Sequence, residues 1–595
     1  MTPRRTTVLL LCLLALLLLI RALDTGPATS RRLASRPTST AVAAPPSPSP
    51  RPWQRSSLAL VGPADRAGQD LLLLDPDAPD DLRQLVTGFA AIAAPSWSPD
   101  GRSLAFAALR GRNWDLYVVG ADGTQLQRLT QHAAFDGGPA WSPDGRSLAF
   151  VSHRDGSLAV HRLDLAAGEA SARRISEGQG PAIEPAWSPD GRWLAYAAWS
   201  AGAYRLELRH SEAAEPAQVL ATAEGDPSLD LRAPAWSPDG SRLAWLALRH
   251  GEGQLVSRAW LGTAGALEGA ARTHAAAATS FAWLPGGQTL AILGDERGGR
   301  RLTLRSADAW TGAASIALPP GPAGLSWSRF PLAGGLPAAM RPIDRSPVAP
   351  VGLQADPARP GLALLADVEV PGARINADLA EDFAALRAEL RAELGQDFLG
   401  TLSDAWRPLG FQSSGSAFFS WHKTGRAFDT QMELWGPGRR RDMVLLREDL
   451  GGRTQWRMWL RAAAQDGSAG RPLTEAAWTF AAGSGDPSLA AEGGRRGNEV
   501  PDGYWLDFTE AAARYGWHRI PSIERGNLNW RRSWTGIEYW HYERRDGLRW
   551  FEAANQVYTQ AELAEALHPD RLRALDLPLN RLVRLGFPAG WPDEG

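Results

Sequence analysis

The motif WSPDG at residues 97–101, which is followed by the strand-like sequence SLAFAA, decides how the first half of this chain folds. The motif recurs three times with a short strand after each copy, and then a degraded copy and the first strand of a last copy follow. The copies begin at Trp97, Trp141, Trp187, Trp236, Trp283 and Trp327, with spacings of 44, 46, 49, 47 and 44 residues. A repeat of this length predicts the four-stranded blades of a β-propeller.

Each part of the repeat has a local physical reason. In the motif, Pro fixes φ, Asp bonds to the backbone of the turn and Gly takes φ > 0. Alternating strands follow, for example residues 113–119 (NWDLYVV), and then a closing strand such as residues 126–130 (LQRLT). Because every copy needs the same residues for its turn, we interpret them as structural. We therefore expect the propeller to bind rather than to catalyse.

The repeats resemble those of TolB-type β-propellers, in which W-S-P-D-G is followed by L-A-F and then by D-L-Y. The resemblance is to a family whose propeller has six blades. Residues 58–85 contain strands two to four of a blade that lacks its first strand, and the isolated strand at Trp327 can supply it. Closure by the two ends removes open sheet edges. We therefore expect an all-β, six-bladed propeller over residues 57–330.

Composition and charge exclude several classes of protein. The chain has 595 residues, which predicts two or more domains, and its 44% apolar and 22% charged residues are typical of globular proteins. The 63 basic and 65 acidic residues nearly balance, so we expect no nucleic-acid partner. The one cysteine, Cys12, lies in the leader, so a metal site elsewhere must use His, Asp and Glu.

The N-terminus is typical of an export signal. Arg4 and Arg5 precede an apolar run at residues 8–20, which is short for a membrane span but fits a secretory signal. For residues 1–23, a cleaved signal peptide and an uncleaved anchor both remain open. Residues 24–56 are rich in Pro, Ser and Ala and predict a disordered linker. We expect an exported, extracytoplasmic protein, anchored or secreted, that meets the membrane only through this N-terminal segment.

The second half of the chain predicts a different fold class. A linker rich in Pro, Gly and Ala is expected at residues 331–360, and the repeat is absent after it. Residues 378–394 have helical periodicity and end at Gly395. Strands and further helices follow, so residues 361–595 predict an α+β domain. Within this domain, residues 437–503 contain an apparent hairpin with a Gly-Gly turn.

Three motifs in the predicted α+β domain carry residue types suited to catalysis. Residues 420–429 have the form S-x-H-x-x-G-x-A-x-D, and residues 538–541 have the form E-x-x-H. Upstream, residues 403–408 (SDAWRP) follow a strand-like segment at 398–402. In this order the motifs resemble those of zinc D-alanyl-D-alanine dipeptidases and carboxypeptidases of the VanX and VanY type. The resemblance implies a zinc-peptidase fold of the hedgehog/DD-peptidase type.

The resemblance also implies a Zn²⁺ ion as cofactor, with His422, Asp429 and His541 as its ligands. Two neutral imidazoles and one carboxylate form a three-ligand site that leaves one zinc position open for water. Such a site polarises a scissile carbonyl and lowers the pKa of water towards neutrality. The residue types at these positions therefore suit metal-assisted hydrolysis.

Three further residues receive roles from the same resemblance. Glu538 would be the general acid/base that moves a proton from water to the leaving amine. Arg407 would stabilise the oxyanion that develops during the reaction. Ser420 would help to hold the substrate.

Some features of the domain differ from the family pattern. Asp429 and His541 are separated by 111 residues, more than the compact dipeptidases have, and the excess lies at 437–503. This insertion could wall the cleft and change its specificity, or it could mark a lineage that has left D-Ala chemistry. Asp404 stands where Gly is usual, and Trp406 stands where Tyr is usual.

Two functions of different classes fit the sequence. The first is an exported zinc peptidase that acts on D-Ala-containing cell-wall peptides and carries a propeller as docking module for an unknown protein partner. The second is a non-catalytic, TolB-like envelope binding or scaffold protein whose C-terminal domain only binds ligand. The intact Glu538 favours the enzyme, because a silent domain needs no acid/base. The insertion at 437–503 favours the binding protein.

Overall fold

The structure is a computed structural model. It describes residues 58–62, 68–75, 78–110, 113–212, 216–222, 226, 229–262, 265–275, 278–296, 299–307, 314–317, 323–327, 354–411, 419–431, 442–450, 452–480, 492–574, 579–588 and 591. The predicted leader, the first linker and residues 331–353 of the second linker lie outside these ranges. Within the described part of the chain, no helix is both long enough and apolar enough to cross a bilayer.

Six four-stranded antiparallel sheets form from the described residues between 58 and 327. In five of these sheets the four strands are consecutive in sequence, as the repeat predicts. The innermost strand of each sheet contacts the innermost strand of the next, and the last contacts the first. The sheets therefore close into a six-bladed β-propeller.

The bounds of the propeller strands follow the repeat closely. They are β1 (Leu58–Val61), β2 (Gln69–Asp75), β3 (Ala78–Phe89), β4 (Ala91–Trp97), β5 (Ser103–Arg110), β6 (Asn113–Gly120), β7 (Gln127–Arg128), β8 (Asp136–Trp141), β9 (Ser147–Ser152), β10 (Ala159–Asp164), β11 (Arg173–Arg174), β12 (Ala182–Trp187), β13 (Trp193–Ser200), β14 (Ala203–His210), β15 (Gln218–Ala221), β16 (Asp230–Trp236), β17 (Arg242–Arg249), β18 (Glu252–Leu261), β19 (Ala266–Ala275), β20 (Ala278–Trp283), β21 (Thr289–Glu296), β22 (Gly299–Ser306), β23 (Ala314–Ala317) and β24 (Ala323–Trp327). A 3-10 turn at Glu169–Ser171 precedes β11.

The ring is closed by strands from its two ends. The sheet of the first blade has the order β24-β1-β2-β3, so the last strand of the propeller is the innermost strand of its first blade. Leu58 is paired with Trp327 and Leu60 with Leu325 in an antiparallel ladder. The pairing predicted from the isolated strand at Trp327 is confirmed.

The WSPDG turn is closed by its own side chains. Ser98 Oγ donates to Asp100 Oδ1 at 2.6 Å and accepts from the N–H of Ser103 at 2.9 Å. Asp100 Oδ1 also accepts from the N–H of Arg102 at 3.1 Å, and Gly101 has φ of 70°. The bond from serine to aspartate, 2.6 Å long, recurs in the next three copies. These bonds support the structural interpretation of the motif.

The tryptophan of the motif connects neighbouring blades. The indole N–H of Trp141 donates to the carbonyl of Ser96 in the preceding blade at 3.1 Å. Trp236 and Trp283 make the equivalent bond at 3.2 and 3.0 Å. The repeat therefore sets both the turn within each blade and a contact between blades.

The described residues from 354 onwards form an α+β unit with four antiparallel sheets, ordered β25-β26-β27, β28-β29-β37-β36, β30-β31-β35-β32 and β33-β34. Its strands are β25 (Ala355–Asp356), β26 (Arg359–Leu364), β27 (Arg374–Asn376), β28 (Leu402–Asp404), β29 (Ala427–Thr430), β30 (Met443–Leu450), β31 (Arg453–Arg461), β32 (Arg471–Pro472), β33 (Trp478–Phe480), β34 (Gly494–Arg496), β35 (Tyr504–Asp507), β36 (His518–Arg519) and β37 (His541–Glu543). Its α-helices are α1 (Ala380–Leu394), α2 (Phe508–Arg514), α3 (Trp550–Ala554), α4 (Gln560–Ala566), α5 (Pro569–Ala574) and α6 (Leu579–Arg584). Its 3-10 turns are Ala377–Leu379, Phe398–Gly400, Trp421–Thr424, Gly526–Leu528 and Trp534–Gly536.

Two sequence predictions in this unit are confirmed and two are wrong. The predicted helix is α1, which ends before Gly395 at φ 64°, and the predicted hairpin is β30–β31. The linker was predicted to extend to residue 360, but β25 and β26 already lie within its last residues. The segment at 398–402, expected as a strand, begins with a 3-10 turn that places Phe398 and Leu399 in the core.

The most extensive apolar core of this unit lies around α1. The buried face of α1, including Phe383, Leu386 and Leu390, packs with Phe428 of β29 and Trp456 of β31 in one continuous cluster. Full burial of each such side chain contributes roughly 1.5–3 kcal/mol. The strands that carry the motif residues are thus fixed to the same core as the hairpin of the insertion.

The insertion at 437–503 contacts the propeller. Arg496 donates to the carboxylate of Asp230 at 2.5 Å and to the carbonyl of Gly202 at 2.7 Å. The N–H of Asp449, which lies on the hairpin, donates to the carbonyl of His250 at 2.7 Å. The sequence left the role of this segment open, and its described contacts join the α+β unit to the propeller.

The insertion also reaches the central cavity of the propeller. The innermost strands enclose a cavity of about 720 Å³, and Glu448 and Glu475 of the insertion contribute to its lining. Arg232 bonds to Glu184 at 2.7 Å within the propeller and to Glu475 at 3.3 Å across the contact. A charged cluster of propeller and insertion residues therefore lies where the two parts meet.

Candidate metal centre

Neighbouring strands bring two of the predicted metal ligands together. Strands β28, β29 and β37 are adjacent in one sheet, in which Asp404 is paired with Asp429 and Asp429 is paired with His541. Directly opposite residues of an antiparallel pair lie about 4.5–5.5 Å apart at Cα. The ladder thus joins Asp429 to His541 across the 111 residues that separate them in the sequence.

His422 reaches the same place from a 3-10 turn, Trp421–Thr424. Ser420 Oγ caps this turn by accepting from the N–H of His422 at 3.3 Å. The turn ends at Gly425, whose φ is 68° and where an added Cβ would lie 2.7 Å from the backbone nitrogen of Asn376. Glycine is therefore required at this bend by both conformation and space.

The ligand atoms of the three residues form a tight triangle. His422 Nε2 lies 3.2 Å from His541 Nδ1 and 3.2 Å from Asp429 Oδ1. His541 Nδ1 lies 2.8 Å from Asp429 Oδ1. His422, Asp429 and His541 are the group of residues in the described chain whose side-chain atoms could jointly hold a metal ion.

Each histidine has a partner for the ring nitrogen that faces away from the triangle. His422 Nδ1 lies 2.5 Å from the carbonyl oxygen of Ala405, and only a protonated Nδ1 can bond to a carbonyl. This contact selects the tautomer in which Nε2 carries a lone pair. His541 Nε2 lies 3.6 Å from Glu543 Oε2, which is two residues further along the same strand.

Charges within the triangle are strongly coupled. Burial alone would raise the pKa of Asp429, but the two histidines hold it well below its ordinary value. Burial alone would lower the pKa of His541, but Asp429 raises it to about 10. Asp429 thus favours the protonated form of His541, whereas a metal ligand must be deprotonated, so binding of a cation would release a proton.

Glu538 lies beside the triangle in an unusual backbone conformation. Its φ is 62°, in the left-handed region that residues other than glycine rarely adopt. Burial raises the pKa of its carboxyl group, and it interacts electrostatically with all three residues of the triangle and with Arg407. Residues held in this region of φ cluster at functional sites, so the conformation of the half-buried Glu538 is consistent with a functional position.

Arg407 also points towards the triangle, and its neighbours hold it there. Its Nη2 lies 4.0 Å from Asp429 Oδ2, and the guanidinium forms an ion pair with Asp404. Its backbone N–H donates to the carbonyl of His422 at 3.2 Å.

The ammonium of Lys423, the chain's one lysine, is buried and donates to the carbonyl of Leu409 at 2.8 Å.

The structure thus brings together His422, Asp429, His541, Glu538 and Arg407. Ser420 lies next to them, and its hydroxyl oxygen caps the turn that carries His422, while its carbonyl accepts from the indole N–H of Trp550 at 3.0 Å.

Sequence reasoning missed two groups of this site. The strand periodicity of β37 places residues 541 and 543 on one face, so the sequence held a signal for Glu543. The carbonyl of Ala405 is a backbone group, for which no residue-type signal exists.

The donor set and its spacing fit zinc. Zinc prefers nitrogen and oxygen ligands at about 2.0–2.1 Å, and a tetrahedron with such bonds has edges of about 3.3 Å. The sides of the triangle, 2.8–3.2 Å, are close to that length. The site therefore suits this ion. It offers two imidazoles whose outer ring nitrogens have partners, and one carboxylate that is held as an anion.

Comparison with known proteins concerns the propeller. No curated protein sequence gives a significant match. Among solved structures, the chain is similar to TolB from Acinetobacter baumannii, with 17% identity and a TM-score of 0.39 over 46% of this chain and 66% of that one. It is also similar to a TolB-type protein from Agrobacterium tumefaciens, with 19% identity and a TM-score of 0.35 over 45% of this chain and 91% of that one.

A family match covers part of the propeller and none of the α+β unit. The resemblance of the α+β unit to zinc peptidases therefore rests on its sequence motifs. Residues 80–228 match the family described as the TolB beta propeller domain, and the chain thus carries a TolB-like β-propeller.

Proposed function

We propose that the protein is a zinc-dependent peptidase of the cell envelope that acts on D-Ala-containing cell-wall peptides. The observation that carries this proposal is the convergence of His422 Nε2, Asp429 Oδ1 and His541 Nδ1 within 3.2 Å of one another. These residues come from two motifs that are far apart in sequence, so chance placement of a buried histidine does not explain the triangle. The D-Ala substrate class comes from the motif resemblance.

The three residues of the triangle would hold the ion. When bound, zinc supplies Lewis-acid chemistry, in that it polarises a carbonyl and lowers the pKa of water. Ala405 and Glu543 would orient the two imidazoles through their outer nitrogens. Such outer partners fix ring orientation and increase the basicity of the ligands.

Glu538 would move the proton. A general base takes a proton from attacking water and, as an acid, returns it to the leaving amine. Burial raises the pKa of the Glu538 carboxyl group, which brings its proton affinity closer to that needed near neutral pH. This shift makes the carboxyl group a better acid/base than an exposed glutamate.

Arg407 would stabilise negative charge that develops on the scissile carbonyl oxygen. The ion pair with Asp404 and the bond from its backbone to His422 hold the guanidinium before substrate arrives. A donor that is already oriented costs no reorganisation during the reaction. This argument gives Asp404 a supporting role beside Arg407.

The proposal places the protein outside the cytoplasm. Its support is the export signal predicted at residues 1–23 and the TolB-like propeller. The face of the propeller that holds the insertion is occupied by the protein's own α+β unit. A protein partner would therefore bind the opposite face, where the WSPDG turns lie.

Metal content and turnover of the full-length protein test this function. We expect the wild type to retain close to one equivalent of zinc at neutral pH by mass spectrometry, and His422→Ala to lose it. Glu538→Gln should keep the zinc but lose at least about 100-fold in turnover of a D-Ala-D-Ala-terminated peptide. The exposed His568 lies outside the triangle, so His568→Ala is the matched control and should change neither value.

The possible failures have different meanings. A wild type without zinc at neutral pH would overturn the enzyme proposal. A zinc-loaded wild type that cleaves no D-Ala peptide would overturn only the substrate class.

A further inference from the structure

The left-handed backbone of Glu538 needs neighbours that keep it in place. Residues other than glycine disfavour a φ of 62°, so the surrounding structure must hold Glu538 in this conformation. The angle φ of Glu538 describes rotation about its N–Cα bond, so the orientation of the preceding peptide group sets it. The carbonyl of Ile537 belongs to that peptide group, and its bonding partner is therefore important.

Ser522 holds the carbonyl of Ile537. Ser522 Oγ donates to this carbonyl at 2.6 Å, and the indole N–H of Trp456 donates to Ser522 Oγ at 2.7 Å. An indole nitrogen only donates, so the one hydroxyl proton of Ser522 remains for the carbonyl of Ile537. All three residues are buried, and water therefore does not compete for these bonds.

The backbone around Ser522 is fixed as well. The N–H of Ser522 donates to the carbonyl of Thr454 at 2.9 Å, and the N–H of Ile523 donates to the carbonyl of Gly536 at 2.8 Å. Gly536 also lies close to a third segment, because an added Cβ there would lie 1.7 Å from the carbonyl oxygen of Leu528. The segment that precedes Glu538 is thus attached at two points to the segment that carries Ser522.

Two of these contacts come from the insertion. Trp456 and Thr454 lie on β31, the second strand of the insertion's hairpin. Asp449 lies on β30, the first strand of the same hairpin, and its N–H bonds to the propeller. The compact family pattern lacks the insertion, so its motifs assign no role to these residues. The hairpin therefore connects the propeller contact to the segment that carries the acid/base.

We propose that Ser522, oriented by Trp456 of the insertion, is a positioning residue for Glu538. This inference rests on the proposed function, because Glu538 needs a fixed place only if it transfers a proton. Ser522 would act through the peptide group before Glu538 and would touch neither substrate nor ion. The insertion would then contribute to turnover from outside the metal triangle.

Two measurements on the full-length protein test this role. Ser522→Ala should raise amide hydrogen exchange of residues 536–541 at least tenfold, with or without zinc, because the carbonyl of Ile537 loses its partner. On a D-Ala-D-Ala-terminated peptide, the same variant should lower kcat by roughly 10- to 100-fold, with KM within twofold and zinc content unchanged. Trp456→Phe, which removes the indole donor together with part of a buried ring, should also show both changes.

A matched control separates positioning from the general loss of a hydroxyl group. Ser211 Oγ donates to the carbonyl of Gly191 at 2.8 Å in the propeller, so Ser211→Ala removes a similar bond far from the site. It should change neither exchange at 536–541 nor kcat. Unchanged exchange in Ser522→Ala would overturn the inference, as would raised exchange with unchanged kcat. An inactive wild type would instead overturn the proposed function, and the positioning role with it.

Discussion

At the scale of single residues, the candidate centre depends on hydrogen-bonding partners that face away from it. His422 has the correct ring nitrogen free because Ala405 accepts from the other one. Asp429 stays ionised although it is buried, because the histidines lower its pKa. Arg407 is oriented by Asp404, the residue that stands where the family pattern has Gly. The chemistry of each of these residues is therefore set by a neighbour that the fold brings beside it.

Arg407→Ala should keep zinc and lower kcat/KM. A donor that stabilises a developing oxyanion is worth about 10²–10³ in rate, and its removal leaves the metal triangle intact. Zinc analysis and steady-state kinetics on a D-Ala-D-Ala-terminated peptide measure the two effects. Arg391→Ala, which removes a half-exposed arginine of α1, should leave both unchanged. Loss of zinc in Arg407→Ala would show that the guanidinium supports the site rather than the reaction.

At the scale of secondary-structure elements, strand pairing explains both halves of the molecule. In the propeller, β24 completes the first blade by pairing with β1. In the α+β unit, the pairing of β29 with β37 places Asp429 opposite His541. Both pairings join segments that are distant in the sequence. The first closes the propeller ring, and the second brings two predicted metal ligands together.

Deletion of residues 320–330 should open or unfold the whole ring. The deletion removes β24, so β1 becomes an open edge and the first blade no longer contacts the last. We expect the Tm of the propeller to fall by more than about 10 °C, because the backbone ladder between β24 and β1 and the closure of the ring are lost. Deletion of residues 341–350 in the predicted linker is the control. An unchanged melting temperature would disprove closure by β24.

Asp115 on β6 predicts a pH-dependent contribution to propeller stability. Burial raises the pKa of its carboxyl group from 3.8 to about 6, although Arg128 Nη2 lies 2.6 Å from Asp115 Oδ2. A carboxyl group whose pKa is raised on folding stabilises the fold most below pH 3.8, and this contribution is lost as the pH rises to about 6. Asp115→Asn should therefore raise the Tm at pH 7 by a few degrees and leave it nearly unchanged at pH 4. A lower Tm at pH 7 would show that the ion pair outweighs burial.

At the scale of the whole molecule, the insertion joins the propeller to the α+β unit. Arg496, Glu475 and Asp449 reach the propeller from different parts of the insertion. The same insertion provides Trp456 to the core beneath the candidate site. The propeller and the α+β unit are thus coupled through buried polar contacts rather than by a linker alone.

Arg496→Ala should uncouple the unfolding of the two parts. The variant leaves the carboxylate of Asp230, which is 4% exposed, without its ion-pair partner across the contact. Removal of one member of a buried pair costs about 3–5 kcal/mol. In scanning calorimetry we expect one transition of the wild type to become two. Arg549→Ala, which removes an exposed ion pair with Glu552, should keep the wild-type profile.

The amino-acid sequence was sufficient to predict the propeller and to name the residues of the candidate centre. The WSPDG copies encode a local turn in each blade, and local turn chemistry can be read without knowing the fold. The motifs named His422, Asp429 and His541 by residue type and order. Only the tertiary structure brought them together, because the pairing of β29 with β37 is a long-range contact that no local pattern specifies. The tertiary structure alone also decided that the insertion contacts the propeller and holds Ser522, since those contacts depend on packing between distant surfaces.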